Sequence, residues 1–274
     1  MCLNLLRFVI LSGLIILLGS FSAFCDIQRG GYVLGSFSPI GLSPGNRVLY
    51  DYEPKGSVDA STESDITSLM DYSLEAGYFH GLLMADARFY STSVDNQKIE
   101  YSEYFRDETI SYKINTLDVR AGLRLSDLGN SSFTYPYIGY RYFSYSSDYL
   151  DTQLKGHGFT VGLTGFYTFF PRFDFEPALY VNAYLGNYRF TDLESDMTSD
   201  FERSKSIAAG ATFGVGVHYE PYNVTMLAIV RGSIDQISHD AKADDGWVEC
   251  GIRHTGFYAG LAVMYQRYNF KYNR

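Results

Sequence analysis

The stretch Ile207-Ala208-Ala209-Gly210-Ala211-Thr212-Phe213-Gly214-Val215-Gly216-Val217-His218-Tyr219-Glu220 divides by parity. Its odd positions are all apolar, and its even positions are small or polar. That period of two is the mark of a β-strand with one face in an apolar medium. The apolar face runs on past the five or six residues of an ordinary strand. A strand this long with one greasy face suits a thick apolar surround better than the core of a soluble sandwich.

The same pattern recurs outward from it. Phe159, Val161, Leu163, Gly165, Tyr167 and Phe169 alternate with Gly158, Thr160, Gly162, Thr164 and Thr168, with Phe166 as the exception. Phe173, Phe175, Pro177, Leu179, Val181, Ala183 and Leu185 then face away from Asp174, Glu176, Tyr180, Asn182 and Tyr184. The few residues around Pro171 and Arg172 join the two runs into a hairpin. Further strands fit at 29–37, 67–79, 82–92, 110–125, 132–146, 223–237 and 248–268, which makes ten. Eight or twelve remain open, because Arg47 to Tyr52 reads as a possible extra strand and the last segment is long.

The connections alternate in length. Short ones are expected near His80-Gly81, Asp127 to Ser131, Pro171-Arg172 and Pro221-Tyr222, and long acidic ones at 38–66, 93–109, 147–157, 191–203 and 238–247. Short turns on one side and longer polar loops on the other describe a single closed antiparallel transmembrane β-barrel of an outer membrane, with the turns in the periplasm. The composition agrees: 25 Tyr, 20 Phe and 26 Gly with a mean hydropathy near zero, and no mature stretch apolar enough for a membrane helix. No linker divides the chain, so residues 26–274 are expected to be one barrel domain.

Residues 1–25 are expected to be a secretory leader. Arg7 is followed by an apolar run from Phe8 to Leu18 and by small residues through Ala23. The run falls well short of the roughly 20 residues of a spanning helix. A cut before Asp26 or three residues earlier satisfies the small-x-small rule, and lipidation at Cys25 is the alternative. Removing Arg7 takes the formal charge from -9 to -10, which makes both nucleic acid and anionic head groups unattractive partners. Cys250 is then the only cysteine left, so neither an intramolecular disulfide nor a cysteine metal site can form.

The run Pro136-Tyr137-Ile138-Gly139-Tyr140-Arg141-Tyr142 resembles strands of the small bacterial outer-membrane barrel superfamily, which includes the transmembrane part of outer-membrane protein A and its relatives. The resemblance is one of pattern over most of residues 28–270. Tyr258, Gly260, Val263 and Tyr265 resemble the barrel-assembly signal, although such chains usually stop on an aromatic residue and this one ends Asn273-Arg274.

Parity assigns the inward face Asp71, Glu75, Asp86, Arg88, Asp118, Arg120, Arg124, Arg141, Asp174, Glu176, Arg231 and Asp235. Ten strands leave a bore little wider than side chains can fill. The expectation is a polar plug of paired charges, with a narrow solute channel as the alternative. An omptin-like surface hydrolase would need more than His239-Asp240 beside Asp244 and Asp245. No catalytic residue, cofactor or metal is expected, and no histidine has the spacing of a metal site. An adhesin would use loop residues such as Ser38-Pro39, Pro44-Gly45, Tyr101, Tyr104 and Phe105. The expected partners are outer-membrane lipid, the barrel-assembly machinery and an external ligand at the loops, with the chain a monomer.

Overall fold

The computed structural model describes residues 29–42, 46–52, 56–62, 66–101, 108–125, 132–147, 152–169, 174–194, 200–243 and 246–269. The leader expected at 1–25, with Cys25, lies outside them, as do Pro44, Gly45, Tyr104, Phe105, Pro171, Arg172, Asp244 and Asp245.

The wall consists of β1 (Arg29–Leu42), β4 (Ile66–His80), β5 (Leu83–Tyr101), β6 (Glu108–Leu123), β7 (Phe133–Ser147), β8 (Thr152–Thr168), β9 (Phe175–Glu194), β10 (Asp200–Tyr219), β11 (Val224–Ala243) and β12 (Gly246–Asn269). Each pairs antiparallel with its neighbours, and β1 closes on β12. Two short strands, β2 (Asn46–Tyr52) and β3 (Gly56–Thr62), carry β1 and β4 outward. Leu42 faces Ile66 and Arg47 faces Ser61, so the pairing register is the same on both sides of the gap. The extra strand suspected at Arg47 to Tyr52 is therefore the outer half of the first hairpin, and the barrel has ten strands.

The long loops are a correction. Most of 93–109, 147–157, 191–203 and 238–247 is paired strand: β5 reaches Tyr101, β8 begins at Thr152, β9 reaches Glu194, and β11 runs to Ala243. Outside an apolar layer both faces of a strand meet water, so these polar segments can keep the ladder without an apolar face. Ser38-Pro39 also sits in the wall rather than in a loop. Proline has no N–H for the ladder, and the pairing of β1 slips there against both β4 and β12, as expected of a bulge.

At the other end the turns are tight. Gly81 has φ of 61°, at the first position of a two-residue hairpin loop, where positive φ favours glycine. Between β10 and β11 a single 3-10 turn, Glu220–Tyr222, ends on Asn223 at φ 53°.

Each wall strand turns its apolar set outward. Ile138, Phe159 and Leu261 are each 70% exposed, and similar residues follow on every strand of the wall. A belt of that extent is incompatible with water around it, and a closed wall is the one sheet form that leaves no unpaired edge in lipid. The chain is a transmembrane β-barrel. Phe166, the exception to parity, is fully buried and points into the bore.

Tyrosine and glycine share a task on the inner face. Tyr32 lies opposite Gly77 and Tyr137 opposite Gly162. The rings lie flat over these glycines, where no side chain stands in the way. A Cβ at Gly162 would come within 2.3 Å of the Ala183 carbonyl and 2.5 Å of the Tyr137 ring. Gly162→Val is expected to cost about 3 kcal/mol through overpacking. At Gly35 a Cβ meets nothing within 4 Å, so Gly35→Val should change stability by less than about 0.5 kcal/mol. Urea unfolding of the two refolded variants, read by gel shift in detergent, checks the difference.

Candidate functional site

Among the described residues the bore is where the strands bring charged and polar side chains together, and it is layered. At the turn end lies an apolar floor that includes Phe79, Met84, Phe133, Tyr135, Phe166 and Met264. Phe133 packs against Tyr32 at 5.2 Å and Phe166 at 5.8 Å between ring centroids. The Arg124 guanidinium lies 4.8 Å from the centre of the Phe79 ring. His218 is buried at the same level, its Nδ1 2.8 Å from the Thr225 hydroxyl.

Above the floor the charges form rows. Strand pairing sets Glu75 opposite Arg88, Arg88 opposite Asp118, and Asp118 opposite Arg141, so the sign alternates across four neighbouring strands. One row nearer the turns, Asp86 faces Arg120. Opposite charges directly across a ladder attract, and here they are removed from water.

Glu75 is the hub of the middle layer, with none of its surface exposed. Arg88 Nε stands 2.6 Å from one of its oxygens and Arg120 Nη2 3.1 Å from the other. The Tyr32 and Tyr180 hydroxyls donate to it at 2.5 and 3.1 Å. Arg120 Nε donates to Asp86 at 2.5 Å, and Asp86 also accepts from the Tyr135 hydroxyl. Arg88 reaches across the bore to Asn182 Oδ1 at 2.6 Å and the Tyr180 hydroxyl at 2.8 Å. Asn182 in turn donates to Thr164 at 2.6 Å.

The outer layer holds two more pairs. Arg141 grips Asp118 with both Nε and Nη2, the forked geometry that makes arginine a strong carboxylate partner. Arg231 Nη2 donates to Asp71 Oδ1 at 2.5 Å, and Thr92 donates to the same oxygen at 2.7 Å. The Arg231 guanidinium lies 4.6 Å from the Tyr90 ring and 4.5 Å from the Tyr258 ring. Arg88, Arg120 and Arg141 likewise lie over Tyr90, Tyr137 and Tyr184. Each ring covers a cation face that would otherwise hold water.

What room remains is small. A cavity of about 30 Å³ is bordered by Tyr90, Thr116, Arg141, Arg231, Asp235 and Tyr258, and another of about 10 Å³ by Asp71, Arg88, Tyr180 and Arg231. A single water needs about 10–15 Å³ on this measure. These are water-sized spaces on either side of Arg231, a fraction of the 300–1,000 Å³ or so of a small-molecule pocket.

The parity set is thus placed residue by residue. Asp71, Glu75, Asp86, Arg88, Asp118, Arg120, Arg141 and Arg231 meet in the middle and outer layers. Arg124 and Glu176 are buried at the turn end, away from those pairs, with Glu176 opposite His218. Asp235 is buried beside the larger cavity. Asp174 does not join them: it is exposed in the bend before β9. His239 and Asp240 lie on β11 opposite Cys250 and Glu249, and their side chains fall outside the description. Of the other half of the network, Tyr90, Tyr135, Tyr180 and Asn182 had a signal too, since they share the parity of inward charges on their strands, whereas the one charge on the strand of Tyr32 is the outward Arg29.

A closed antiparallel barrel of even strand number, apolar outside and polar within, is the architecture of outer-membrane proteins. No protein-family model matches the chain, and no curated protein matches it. Among solved structures, the outer membrane protease OmpT from Escherichia coli aligns at 13% identity and a TM-score of 0.47, covering 88% of this chain and 97% of that one. Outer membrane protein AlkL, solved in lipid bilayers, aligns at 13% identity and 0.39, covering 89% and 92%. The translocator domain of the autotransporter NalP from Neisseria meningitidis aligns at 10% and 0.37, covering 90% and 91%.

Proposed function

We propose that the chain is an integral outer-membrane protein whose bore is a permanent polar plug, so that the barrel is a rigid wall element with an acidic outer rim rather than a conduit. The observation that carries this reading is the filling of the bore among the described residues: alternating charge rows above an aromatic floor, with water-sized spaces on either side of Arg231. Balanced charge also disfavours ion selectivity, because a selective pore lines itself with one sign. In this reading residues 1–25 direct export, the barrel-assembly machinery inserts residues 26–274 as a monomer, and the turns face the periplasm.

Planar bilayer recording tests it. Full-length mature protein, refolded until it shows a heat-modifiable gel band, is expected to give a silent bilayer. Discrete conductance steps in the wild-type protein that change on Arg120→Ala would instead make the bore a channel.

A further inference from the structure

We propose that the outer face of the β12–β1–β4 seam binds one anionic phospholipid of the inner leaflet, its phosphate at Arg29 and Arg267 and an acyl chain along β1. This rests on the outer-membrane reading above, which sets the turn end toward the periplasm.

The seam differs from the rest of the belt. The outward positions of β1 are Arg29, Gly31, Val33, Gly35 and Phe37, so two of its belt sites have no side chain. Register puts Leu74 and Val263 on either side of Gly35, and Tyr78 and Arg267 on either side of Gly31. Between them Val33 is flanked by the small Ala76 and by Tyr265. Leu74, Tyr78, Val263 and Tyr265 are all exposed, and at Gly35 the space is open. A shallow apolar channel therefore follows β1. From Gly35 to Arg29 the strand rises about 20 Å. Tilted as barrel strands are, that spans about 15 Å, one leaflet of a hydrocarbon core about 30 Å thick.

The channel ends on cations. Arg29 lies directly opposite His80, and Arg267 stands one strand away across from Gly31. All three are exposed. Neither arginine has a carboxylate within ion-pair distance among the described residues. In a chain of net charge -9, two arginines and a histidine together, with no acid paired to either arginine among the described residues, are a local reversal of sign. They sit where head groups begin, with Tyr78 and Tyr265 beside them as residues suited to that boundary. Charge complementarity selects an anionic head group over a zwitterionic one, and each basic residue adds several-fold to such binding.

The test is native mass spectrometry of the full mature protein, refolded in detergent and shown to be heat-modifiable, with phosphatidylglycerol or phosphatidylcholine added. One phosphatidylglycerol should be retained per barrel in preference to phosphatidylcholine. The double variant Arg29→Gln, Arg267→Gln should weaken retention by about ten-fold or more. Gly35→Leu, which fills the channel and keeps both arginines, should weaken it as well. Equal retention of the two lipids, or a double variant that behaves as wild type, overturns the site. A dimer that excludes lipid would overturn it too, by giving the seam to a second copy. Loss of the heat-modifiable band before any lipid is added would count against the membrane-barrel reading itself, so the two failures are separable.

Discussion

Replacing Glu75 by alanine is expected to cost about 3–5 kcal/mol of barrel stability, the usual penalty for breaking a buried pair from one side. The carboxylate holds Arg88 and Arg120 at once and accepts from two phenols. Without it two guanidiniums remain in a space that water hardly enters. Glu75→Gln should recover a small part of the loss, because the single amide oxygen still accepts from one of the two phenols that donate to the carboxylate but brings no charge. The forked Asp118–Arg141 pair is the control. Either single change, Asp118→Ala or Arg141→Ala, strands a charge, whereas Asp118→Leu with Arg141→Met removes both and refills the volume. The paired replacement should cost less than either single one. Urea unfolding of the refolded variants reads all five. If Glu75→Ala unfolds at the wild-type denaturant concentration, the hub does not hold the layer together.

These pairs differ in how far the sequence alone specifies them. Parity alone put Glu75 and Arg88 on the inner face. Their direct opposition follows from one more fact, the two-residue turn at Gly81-Leu82, from which the two residues are equally distant in sequence. Arg88 and Asp118 are different. The register between β5 and β6 slips between Val94 and Gln97, where the successive polar residues Asp95, Asn96 and Gln97 carry no period of two. For the same physical reason the outward extensions of the strands read as loops in the sequence: alternation records a boundary between two media, and outside the membrane there is only one. Proline misled in the opposite sense, since Pro39 marks a bulge in the wall and not the end of a strand. The contact of Arg231 with Asp71 crosses the bore between strands that are not neighbours, and no local pattern encodes it.

The layering makes a sharper statement about permeation than a silent wild type does. Two barriers stand in series: the charged layers at Glu75 and Arg231, and below them the apolar floor at Phe133 and Phe166. Removing the outer pair by Asp71→Ala with Arg231→Ala joins the two water-sized cavities at that level without leaving a net charge. Water and ions would then reach the middle layer and stop, because Glu75, Arg88 and Arg120 still fill the bore. Phe133→Ala with Phe166→Ala opens the floor instead, at about 3–5 kcal/mol for each ring if the cavity does not collapse, and again leaves the charges in place. Each of these double variants is expected to be as silent in a planar bilayer as the parent. Conductance should require both sets of changes together with loss of the middle pairs by Glu75→Ala, Arg88→Ala, Asp86→Ala and Arg120→Ala. Steady conductance from either double variant alone would mean that one layer, and not the stack, closes the barrel. An aromatic floor excludes ions through the cost of stripping their water, whereas a paired charge layer excludes them by occupying the space with charges already paired to one another. Because the mechanisms differ, failure of one leaves the other intact, so under the proposed plug reading the barrel should stay shut through fluctuations that would open a single gate.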